Sequence, residues 1–449
     1  MNIQIAFYGD DFTGSTDALE SLSRAGLKTV LFLDIPTPEL LGQFEDLDAI
    51  GIAGLTRAMP PKEMEDELLP AFQAFKNLTP KYVHYKVCST FDSSVEIGNL
   101  GTAINCGNKV FGQNVVPILV AAPHLGRYSA FGNLYARMGA GSKGDIYRLD
   151  RHPSMSNHPT TPADESDLKL HLSKQYSGKS GLIDLVDIEG EIDEISHKID
   201  QMISEDTKVI FFDAMYENQL SKIGESFERL ASKTKTLFSL GSSGIAKALG
   251  NFWAQQGTFK EQKNWKNIKP EKAIIVLSGS CSPITGEQIT WAVENGFYEI
   301  AVDSDVLDQE KTASRISDYT NKMVDSLLKG RSVILHTCKG PNDPRLAKTK
   351  AYSSGENIAS QFGKVLGLAA RKALEKVPIT RLVIAGGDTS GYVAKNLGIE
   401  AVEMIAPIYP GAPLCVAYAR NSPVDKMQIN LKGGQVGDET YFELLRQGN

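Results

Sequence analysis

The sequence predicts an α/β protein of two three-layer domains, each with a mainly parallel sheet, and a cleft between them. Three observations support this. Short β-branched or aromatic runs alternate with longer amphipathic segments, which is typical of βαβ crossovers. A chain of 449 residues exceeds what one hydrophobic core usually holds. The polar, lysine-rich stretch at 257–272 is the best candidate for a linker. We therefore predict domains at 1–262 and 263–449.

In the first predicted domain, segments with helical spacing separate the apolar runs. Residues 61–76, for example, place Met64, Leu68 and Phe72 on one helical face. Residues 124–163 are rich in Gly, Pro, Arg and His without a clear period, so we interpret them as a long functional loop or insertion. The predicted strands of this domain lie within 3–9, 29–33, 49–55, 82–87, 115–123, 182–186, 208–214 and 236–244.

The second domain has a turn of small residues after each of its main strands, and three of these turns stand out. Small residues let backbone N–H groups approach a phosphate, and a helix N-terminus adds roughly half a positive charge. One such turn could equally be a plain helix cap. Three within one domain favour phosphate binding. The turns contain Ser278, Gly279, Ser280 and Ser282; Gly386, Gly387, Asp388, Thr389, Ser390 and Gly391; and Lys432, Gly433, Gly434 and Gly437.

The familiar phosphate-loop motifs do not account for these turns. The sequence contains no GxxxxGK[ST]. Its one formal GxGxxG, from Gly139 to Gly144, follows no immediate strand and opens no clear helix. A dinucleotide-binding fingerprint needs a strand immediately before it and a helix immediately after it, so this match does not predict a dinucleotide site.

Charged side chains follow several predicted strands of the first domain. Because parallel strands end at one sheet edge, we expect these side chains to converge there. Arg and Lys would pair with the carboxylate of a polyhydroxylated acid, and Asp would accept hydrogen bonds from its hydroxyls. The alternatives are that Asp11 or Thr13 caps the next helix, that Lys86 is solvated, and that His124 is a surface histidine. The candidate residues are Asp10, Asp11, Arg57, Lys86, His124 and Arg127.

The insertion contains a second group of charged residues, including Arg148, Asp150 and Arg151. Its histidines, His152 and His158, are six apart with a proline between them, which can suggest a metal site. No third Cys or His lies nearby, so we favour an anion-contacting loop with Arg151 as a substrate contact. We assign no metal ligands.

The composition is that of an ordinary globular protein, with 42% hydrophobic and 22% charged residues. A net charge of -7 argues against a nucleic-acid or membrane-surface partner. Five scattered cysteines without a CxxC pair favour a reducing compartment. With no signal peptide and no apolar stretch long enough for a bilayer, we predict a cytoplasmic protein. A homo-oligomer is neither required nor excluded by the sequence.

Five motifs together resemble the four-carbon acid sugar kinases, which include the 3-oxo-tetronate, threonate and erythronate kinases. The resemblance implies a sugar-acid-binding N-terminal domain and an ATP-binding C-terminal domain. It implies sugar-acid contacts at Asp10, Asp11, Arg57 and Lys86. It implies nucleotide contacts at Ser282, Gly386, Gly387, Asp388, Thr389 and Gly434, with Ser278 and Ser280 nearby. The motifs are "GDDFTGSTDA" at 9–18, "KVCST" at 86–90, "SGSCSPIT" at 278–285, "GGDTSG" at 386–391 and "LKGGQVG" at 431–437.

Two departures concern the substrate. Common members of the family continue the lysine motif as something like "DSTLRGN", whereas this chain has "CSTFDSSVEIGN". An arginine expected near position 92 is therefore replaced by Asp92. The loop "RLDRHPSMSNHPTTPADESDL" resembles the branch linked to 3-oxo-isoapionate, a branched acid sugar. The substrate expected from the resemblance is therefore a 3-oxo-tetronate, threonate or 3-oxo-isoapionate.

The predicted reaction is phosphoryl transfer from ATP with Mg²⁺ to a sugar-acid hydroxyl. Such a reaction needs alignment, charge neutralisation and often one carboxylate that takes the proton. Asp388 on the phosphate side and Asp11 on the sugar side are the candidate catalytic residues. A non-catalytic sugar-acid sensor is the alternative, and an NAD(P)-dependent dehydrogenase is a weaker one because it would need a strand-linked GxGxxG.

Overall fold

The computed structural model describes residues 2–138, 144–156, 161–351 and 358–448, with Lys350, Ala351 and Asp388 described by their backbone alone. All but the last residue of the Gly139–Gly144 motif, and also His158, lie outside these ranges. The chain forms two compact units. The first contains residues 1–30 and 34–263, and the second contains residues 31–33 and 264–449.

The first unit alternates strands and helices in the predicted manner, and every predicted run overlaps a strand, although the run at 182–186 covers only the end of one strand and the start of a helix. In chain order its elements are β1 (Ile5–Gly9), α1 (Phe12–Arg24), β2 (Thr29–Phe32), α2 (Pro38–Leu41), β3 (Ala49–Ala53), α3 (Pro61–Asn77), β4 (Tyr82–Lys86), α4 (Leu100–Phe111), β5 (Val116–Leu119), β6 (Arg127–Ala130), β7 (Asn133–Arg137), β8 (Ile146–Arg148), α5 (Leu168–Ser173), β9 (Ser180–Ile183), α6 (Leu185–Glu189), α7 (Ile192–Ser204), β10 (Val209–Phe212), α8 (Glu217–Ala231), β11 (Leu237–Gly241) and α9 (Gly244–Gln255).

The main sheet of this unit is parallel, in the order β3-β1-β4-β11-β5-β10-β9, and β2 lies beside β3. Its central strands β1, β3 and β4 are buried along their whole length, which explains their uninterrupted apolar sequences. In register, Gly9 of β1 pairs with Ala53 of β3 and with Lys86 of β4. The three strands therefore end side by side.

The interpretation of 124–163 as a loop was wrong for part of that segment. Strands β6, β7 and β8 form a separate antiparallel sheet of three strands. Buried and half-exposed residues alternate along β7, so its apolar signal is weak. The Ser129 N–H donates to the carbonyl of Ala214 at 2.9 Å, and the Asp213 carboxylate accepts from the Gly132 N–H at 3.1 Å. These two contacts attach the small sheet to the end of β10.

The second unit also alternates strands and helices, and no helix or strand is assigned to the described residues between Gln255 and Ile275. The elements continue as β12 (Ile275–Ser278), α10 (Pro283–Glu294), β13 (Tyr298–Ala301), α11 (Gln309–Leu328), β14 (Val333–His336), α12 (Arg345–Ala351), α13 (Ile358–Leu374), β15 (Arg381–Ala385), α14 (Asp388–Leu397), β16 (Ala401–Tyr409), β17 (Ala412–Tyr418), β18 (Gln428–Lys432) and α15 (Tyr441–Gln447).

The strands of the second unit lie in the order β13-β14-β12-β15-β18-β17-β16. The pairs from β13 to β18 are parallel, whereas β16, β17 and β18 pair antiparallel. The apolar pattern did not predict β17, because Pro413 interrupts its sequence. Strands β12, β15 and β18 are neighbours, so the three turns singled out in the sequence follow adjacent strand ends. In the described residues no helix is both long and apolar enough to cross a membrane.

Candidate active site

An arginine and two aspartates form the centre of the charged edge in the first unit. Asp10 and Asp11 follow β1, and Arg57 lies in a 3-10 helix, Thr56–Ala58, after β3. The guanidinium of Arg57 binds Asp10 through Nε–Oδ2 (3.0 Å) and Nη2–Oδ1 (2.8 Å), and its Nη2 also reaches Asp11 Oδ1 at 2.9 Å. The charge of Arg57 is therefore already compensated within the protein.

Asp11 also caps the helix that follows it. Its carboxylate accepts from the Gly14 N–H at 3.0 Å and from the Thr13 hydroxyl at 3.1 Å, so the predicted capping role is present. Burial opposes ionisation of Asp11, but the charges of Arg57 and Lys86 and these two donors outweigh it and lower its pKa. Burial and the adjacent Asp11 charge raise the pKa of Asp10, although Arg57 opposes that rise.

Lys86, at the end of β4, is buried beside these carboxylates. Its residue is 3% exposed, and its ammonium makes no hydrogen bond or ion pair within the described part of the chain. A Cβ added at Gly14 would lie 2.9 Å from Lys86 Nζ and 2.1 Å from Asp11 Oδ1. The ammonium thus lies over the first turn of α1. Lys86 acts on Asp10 and Asp11 without a direct ion pair, so its ammonium is free to donate hydrogen bonds to an anionic ligand.

Arg127 is a second cation near the same edge. Its Nη1 donates to the carbonyls of Leu125, Gly126 and Arg137, while its buried Nε has no partner among the described residues. Burial lowers the pKa of Arg127, and the nearest charges it interacts with belong to Cys88 and Asp92. Arg57 and Lys86 also interact electrostatically with Cys88. The three basic residues thus share Cys88 as a common neighbour.

Two of the predicted substrate residues, His124 and Arg151, make no hydrogen bond or ion pair with the group formed by Asp10, Asp11 and Arg57 among the described residues. His124 lies in a 3-10 helix, Pro123–Leu125, and interacts with Asp17, Lys247 and Glu217 rather than with the aspartate–arginine group. Both of its ring nitrogens are buried without a hydrogen-bond partner in the described residues, and burial lowers its pKa. Arg151 is exposed at the end of the 3-10 helix Leu149–Arg151. Their substrate roles stay predictions.

The three small-residue turns of the second unit meet at one place. A Cβ added at Gly434 would lie 2.6 Å from Ser280 Oγ and 3.1 Å from Ser282 Cβ, and one added at Gly279 would lie 2.3 Å from Thr389 Cγ2. These are contacts that only glycine permits without movement. Gly386 also needs its glycine, because its φ of +145° is one that side-chain-bearing residues rarely adopt.

Unpartnered polar groups remain at these turns. Ser282 precedes α10, which begins with Pro283. The buried Oγ of Ser282 lacks a hydrogen-bond partner within the described ranges. Gly387 precedes α14, and a Cβ there would meet nothing within 4 Å. Helix N-termini and open backbone of this kind suit phosphate oxygens. Helix α14 begins at Asp388, whose side chain is not described, so its catalytic role stays a prediction.

Sequence reasoning missed the importance of Lys432, which precedes Gly433 and Gly434. Lys432 is fully buried, and burial lowers its pKa to about 7. Its Nζ donates to Thr285 Oγ1 at 3.0 Å, and the Thr285 hydroxyl donates to the Gly434 carbonyl at 2.8 Å. This chain of contacts fixes the position of Gly434. Its only sequence signal is a lysine that ends an apolar strand.

No group of three or more His, Cys, Asp or Glu side chains in the described ranges could hold a metal ion. Mg²⁺ in phosphoryl-transfer enzymes usually takes one or two carboxylates, water and substrate phosphates rather than an all-protein cage.

Comparison with known proteins finds two family models, one in each of the two units of the chain. A family model described as a sugar-binding N-terminal domain matches residues 5–249, and one described as a nucleotide-binding C-terminal domain matches residues 275–442. A 3-oxo-isoapionate kinase of Paraburkholderia graminis is 40% identical over 450 residues, covering 99% of this chain and 94% of that protein. A 3-oxo-tetronate kinase of Salmonella typhimurium is 28% identical and covers 98% of both chains.

Solved structures show the same fold. A crystal structure described as a putative tRNA synthase from Salmonella typhimurium LT2 has a TM-score of 0.79 at 26% identity, covering 99% of this chain and 98% of the other. A Haemophilus influenzae protein has a TM-score of 0.71 at 24% identity, with 98% of both chains covered.

Fold, turns and charged edge together define a two-domain α/β protein with one sugar-binding and one nucleotide-binding unit. The chain belongs to the family whose members combine these two domains, and it is a kinase. The family and the enzyme class predicted from the sequence motifs are thereby confirmed.

Proposed function

We propose that this kinase transfers the γ-phosphoryl group of ATP to a hydroxyl of a small acid sugar, and that its substrate is 3-oxo-isoapionate. The observation that carries the acid-sugar assignment is the buried ammonium of Lys86, which makes no direct ion pair among the described residues, beside two carboxylates that can accept hydrogen bonds from hydroxyl groups. The choice of sugar rests on the 40% identity to a 3-oxo-isoapionate kinase, against 25–29% for the 3-oxo-tetronate kinases.

The proposed substrate carboxylate binds Lys86, with Arg127 as its second cation. Arg57 is not assigned to the carboxylate, because Asp10 and Asp11 already compensate its charge. It instead holds both aspartates in position. Their carboxylates accept hydrogen bonds from substrate hydroxyls, which fixes the orientation of the sugar.

Asp10 is the better proton acceptor of the two aspartates under this proposal. Asp11 is stabilised as an anion first by Arg57 and then by Lys86, Thr13 and Gly14, and a carboxylate held in that way is a weak base. The raised pKa of Asp10 gives its anion a greater affinity for the proton that the acceptor hydroxyl releases. This assignment replaces Asp11 as the candidate base on the sugar side.

The nucleotide binds at the three turns of the second unit in this proposal. The phosphates lie against the backbone at Ser280–Ser282, Gly386–Gly387 and Gly433–Gly434, and Mg²⁺ arrives with them, where it neutralises phosphate charge. The Ser282 hydroxyl donates to a phosphate oxygen. We also propose that the kinase works in the cytoplasm, since its five cysteines are free thiols.

The test is ADP formation from ATP and Mg²⁺ with a panel of acids. The panel contains 3-oxo-isoapionate, a 3-oxo-tetronate, threonate and erythronate, and a no-acid reaction is the control. We expect the highest kcat/KM with 3-oxo-isoapionate. A higher value with a linear four-carbon acid would overturn the choice of sugar, and no ADP with any acid would overturn the acid-sugar assignment.

A further inference from the structure

Two cysteines that the proposed reaction does not use lie on neighbouring segments of the second unit, one in the phosphate turn after β12 and one after β14. Cys281 lies between Ser280 and Ser282, and Cys338 lies two residues beyond the end of β14. Strands β12 and β14 are parallel neighbours in which Ser278 pairs with His336. The Thr337 N–H also donates to the Ser278 carbonyl at 3.0 Å. The two chain segments therefore leave the sheet side by side.

The side chains of this pair meet. The Cys281 and Cys338 thiols lie close enough that each is the largest influence on the pKa of the other, and the Cys338 thiol donates to the Gly340 carbonyl oxygen at 2.9 Å. Cys281 is exposed, whereas Cys338 is buried at 1% exposure. One thiol is thus open to a reagent from solvent, and the other is a buried neighbour whose pKa is raised by Cys281 and by burial, so it can react only after Cys281 has been oxidised.

Cys281 is also the cysteine best suited to oxidation. Among the five cysteines it alone is exposed, and the neighbouring Cys338 thiol lowers its pKa. Burial raises the pKa of Cys88 to about 11 and that of Cys106 to about 11. Because the thiolate is the reactive form, these two should react slowly.

We propose that Cys281 and Cys338 form a reversible disulfide that switches off nucleotide binding at this turn. The Cys281 thiolate attacks a hydroperoxide, so that an S–O bond forms, the O–O bond breaks and hydroxide leaves as water. The Cys338 thiol then attacks the sulfenic sulfur, an S–S bond forms and a second water leaves. Two thiols lose two electrons and two protons to one peroxide, and a dithiol reductant reverses the change.

The disulfide would disturb the nucleotide turn because it shortens the sulfur–sulfur separation. A disulfide is about 2.05 Å long, much shorter than a thiol–thiol hydrogen bond. Ser280 and Ser282 flank the moving residue, and Ser280 already packs against Gly434 without room for a Cβ. A shift of Cys281 therefore moves the backbone that faces the phosphates. This consequence rests on the proposed nucleotide site, whereas formation of the disulfide does not.

The experiment treats the full-length protein with equimolar hydrogen peroxide, then maps non-reduced peptides by mass spectrometry and measures ADP binding by calorimetry. We expect a cross-linked peptide pair containing Cys281 and Cys338, a loss of 2 Da, and a Kd for ADP raised at least about tenfold and restored by dithiothreitol. Absence of the cross-link overturns the disulfide. A cross-link with unchanged ADP affinity overturns the switch.

Variants separate this effect from general oxidation. Cys281→Ser and Cys338→Ala should bind ADP equally well before and after peroxide, while Cys106→Ala should respond like the wild type. If peroxide weakens ADP binding to Cys281→Ser as much as to the wild type, the switch is overturned. Should the reduced wild type fail to bind ADP, the proposed nucleotide site fails, and the peptide map alone decides whether the disulfide forms.

Discussion

At the residue scale, neighbouring charges on the edge of the first unit have different roles. Arg57 holds Asp10 and Asp11, whereas the ammonium of Lys86 has no anion of its own among the described residues. The sequence placed all four residues at one sheet edge but could not show which cation was compensated. That distinction depends on the direction of the Arg57 side chain, which a strand-end argument does not give.

Lys86→Met should weaken acid-sugar binding, because it removes the unpaired charge and keeps most of the side-chain length. Hydrogen bonds to charged groups contribute about 1.5–3 kcal/mol, so we expect the KM for the acid sugar to rise roughly 10- to 100-fold. The KM for ATP should not change. Lys62→Met is the control, since Lys62 is an exposed lysine paired with Asp66. An unchanged sugar KM in Lys86→Met would remove Lys86 from the site.

Asp10→Asn and Asp11→Asn form a matched pair, because both aspartates contact Arg57 Nη2. If Asp10 accepts the proton, Asp10→Asn should lower kcat about 10²- to 10⁴-fold and leave ADP affinity intact. Asp11→Asn should lower kcat less, and because asparagine caps a helix about as well as aspartate, it should not reduce the melting temperature more than Asp10→Asn. A larger fall of kcat in Asp11→Asn would reverse the assignment.

At the element scale, the turns and the small sheet are held by few contacts from distant parts of the chain. Lys432 and Thr285 fix the turn at Gly434, and Asp213 fixes the β6–β7 turn at Gly132. Strand β6 begins at Arg127, so the Asp213 contact also helps to position that guanidinium. None of these pairings is visible in the sequence, because the partners are separated by about 80 residues or more.

Gly434→Ala should weaken nucleotide binding. The added methyl group would lie 2.6 Å from Ser280 Oγ, so one of the two turns must shift. We expect the KM for ATP to rise about tenfold or more, with the KM for the acid sugar unchanged. Gly42→Ala, at the end of α2, is the control, because its added Cβ would be 3.2 Å from the nearest atom and far along the chain from any proposed contact. Wild-type ATP kinetics in Gly434→Ala would argue against this turn.

Asp213 should make stability depend on pH between about 4 and 6. Burial raises the pKa of Asp213 from 3.8 to about 6, so the folded protein binds a proton in a range where the unfolded chain has lost it. The contribution of this residue to stability therefore falls as the pH rises through that range, by on the order of 3 kcal/mol.

Urea unfolding of the wild type and Asp213→Asn at pH 4, 5, 6 and 7 measures the pH-dependent contribution of Asp213 to the free energy of unfolding. The free energy of unfolding of the wild type minus that of the variant should decrease from pH 4 to pH 6 and then level off. A difference that is constant or increases with pH contradicts the prediction. Asp206→Asn, which changes a carboxylate on an exposed side chain, should give a pH-independent difference by comparison.

At the scale of the whole molecule, the sequence predicted the alternation of strands and helices because the central strands are buried on both faces. It singled out three turns but did not predict that they meet, which follows from the adjacency of β12, β15 and β18 in the sheet. It missed β6–β8, whose strands are half exposed, and β17, whose proline hides its strand character. Lys432 was named in the third turn, but its burial and its contact with Thr285 depend on packing that the sequence does not show.

Hydrogen exchange should assign the two ligands to different parts of the chain. We expect ADP with Mg²⁺ to slow exchange at 278–286, 386–391 and 432–437, and an acid-sugar substrate to slow it at 10–16 and 86–92. Ligand-free protein is the reference. If the acid sugar instead slows exchange at 278–286, 386–391 and 432–437, and ADP slows it at 10–16 and 86–92, the assignment of the two units is reversed.

The double use of Asp11 limits how the enzyme can be adapted to other substrates. The same carboxylate that faces the proposed sugar also caps α1 through Gly14, so its replacement costs about 1 kcal/mol of stability whatever it does to binding. Asp92 makes no side-chain hydrogen bond among the described residues, so it has no comparable structural duty. Selection for a new acid sugar, in nature or in a library, should therefore change position 92 readily and retain Asp11 across otherwise diverged specificities.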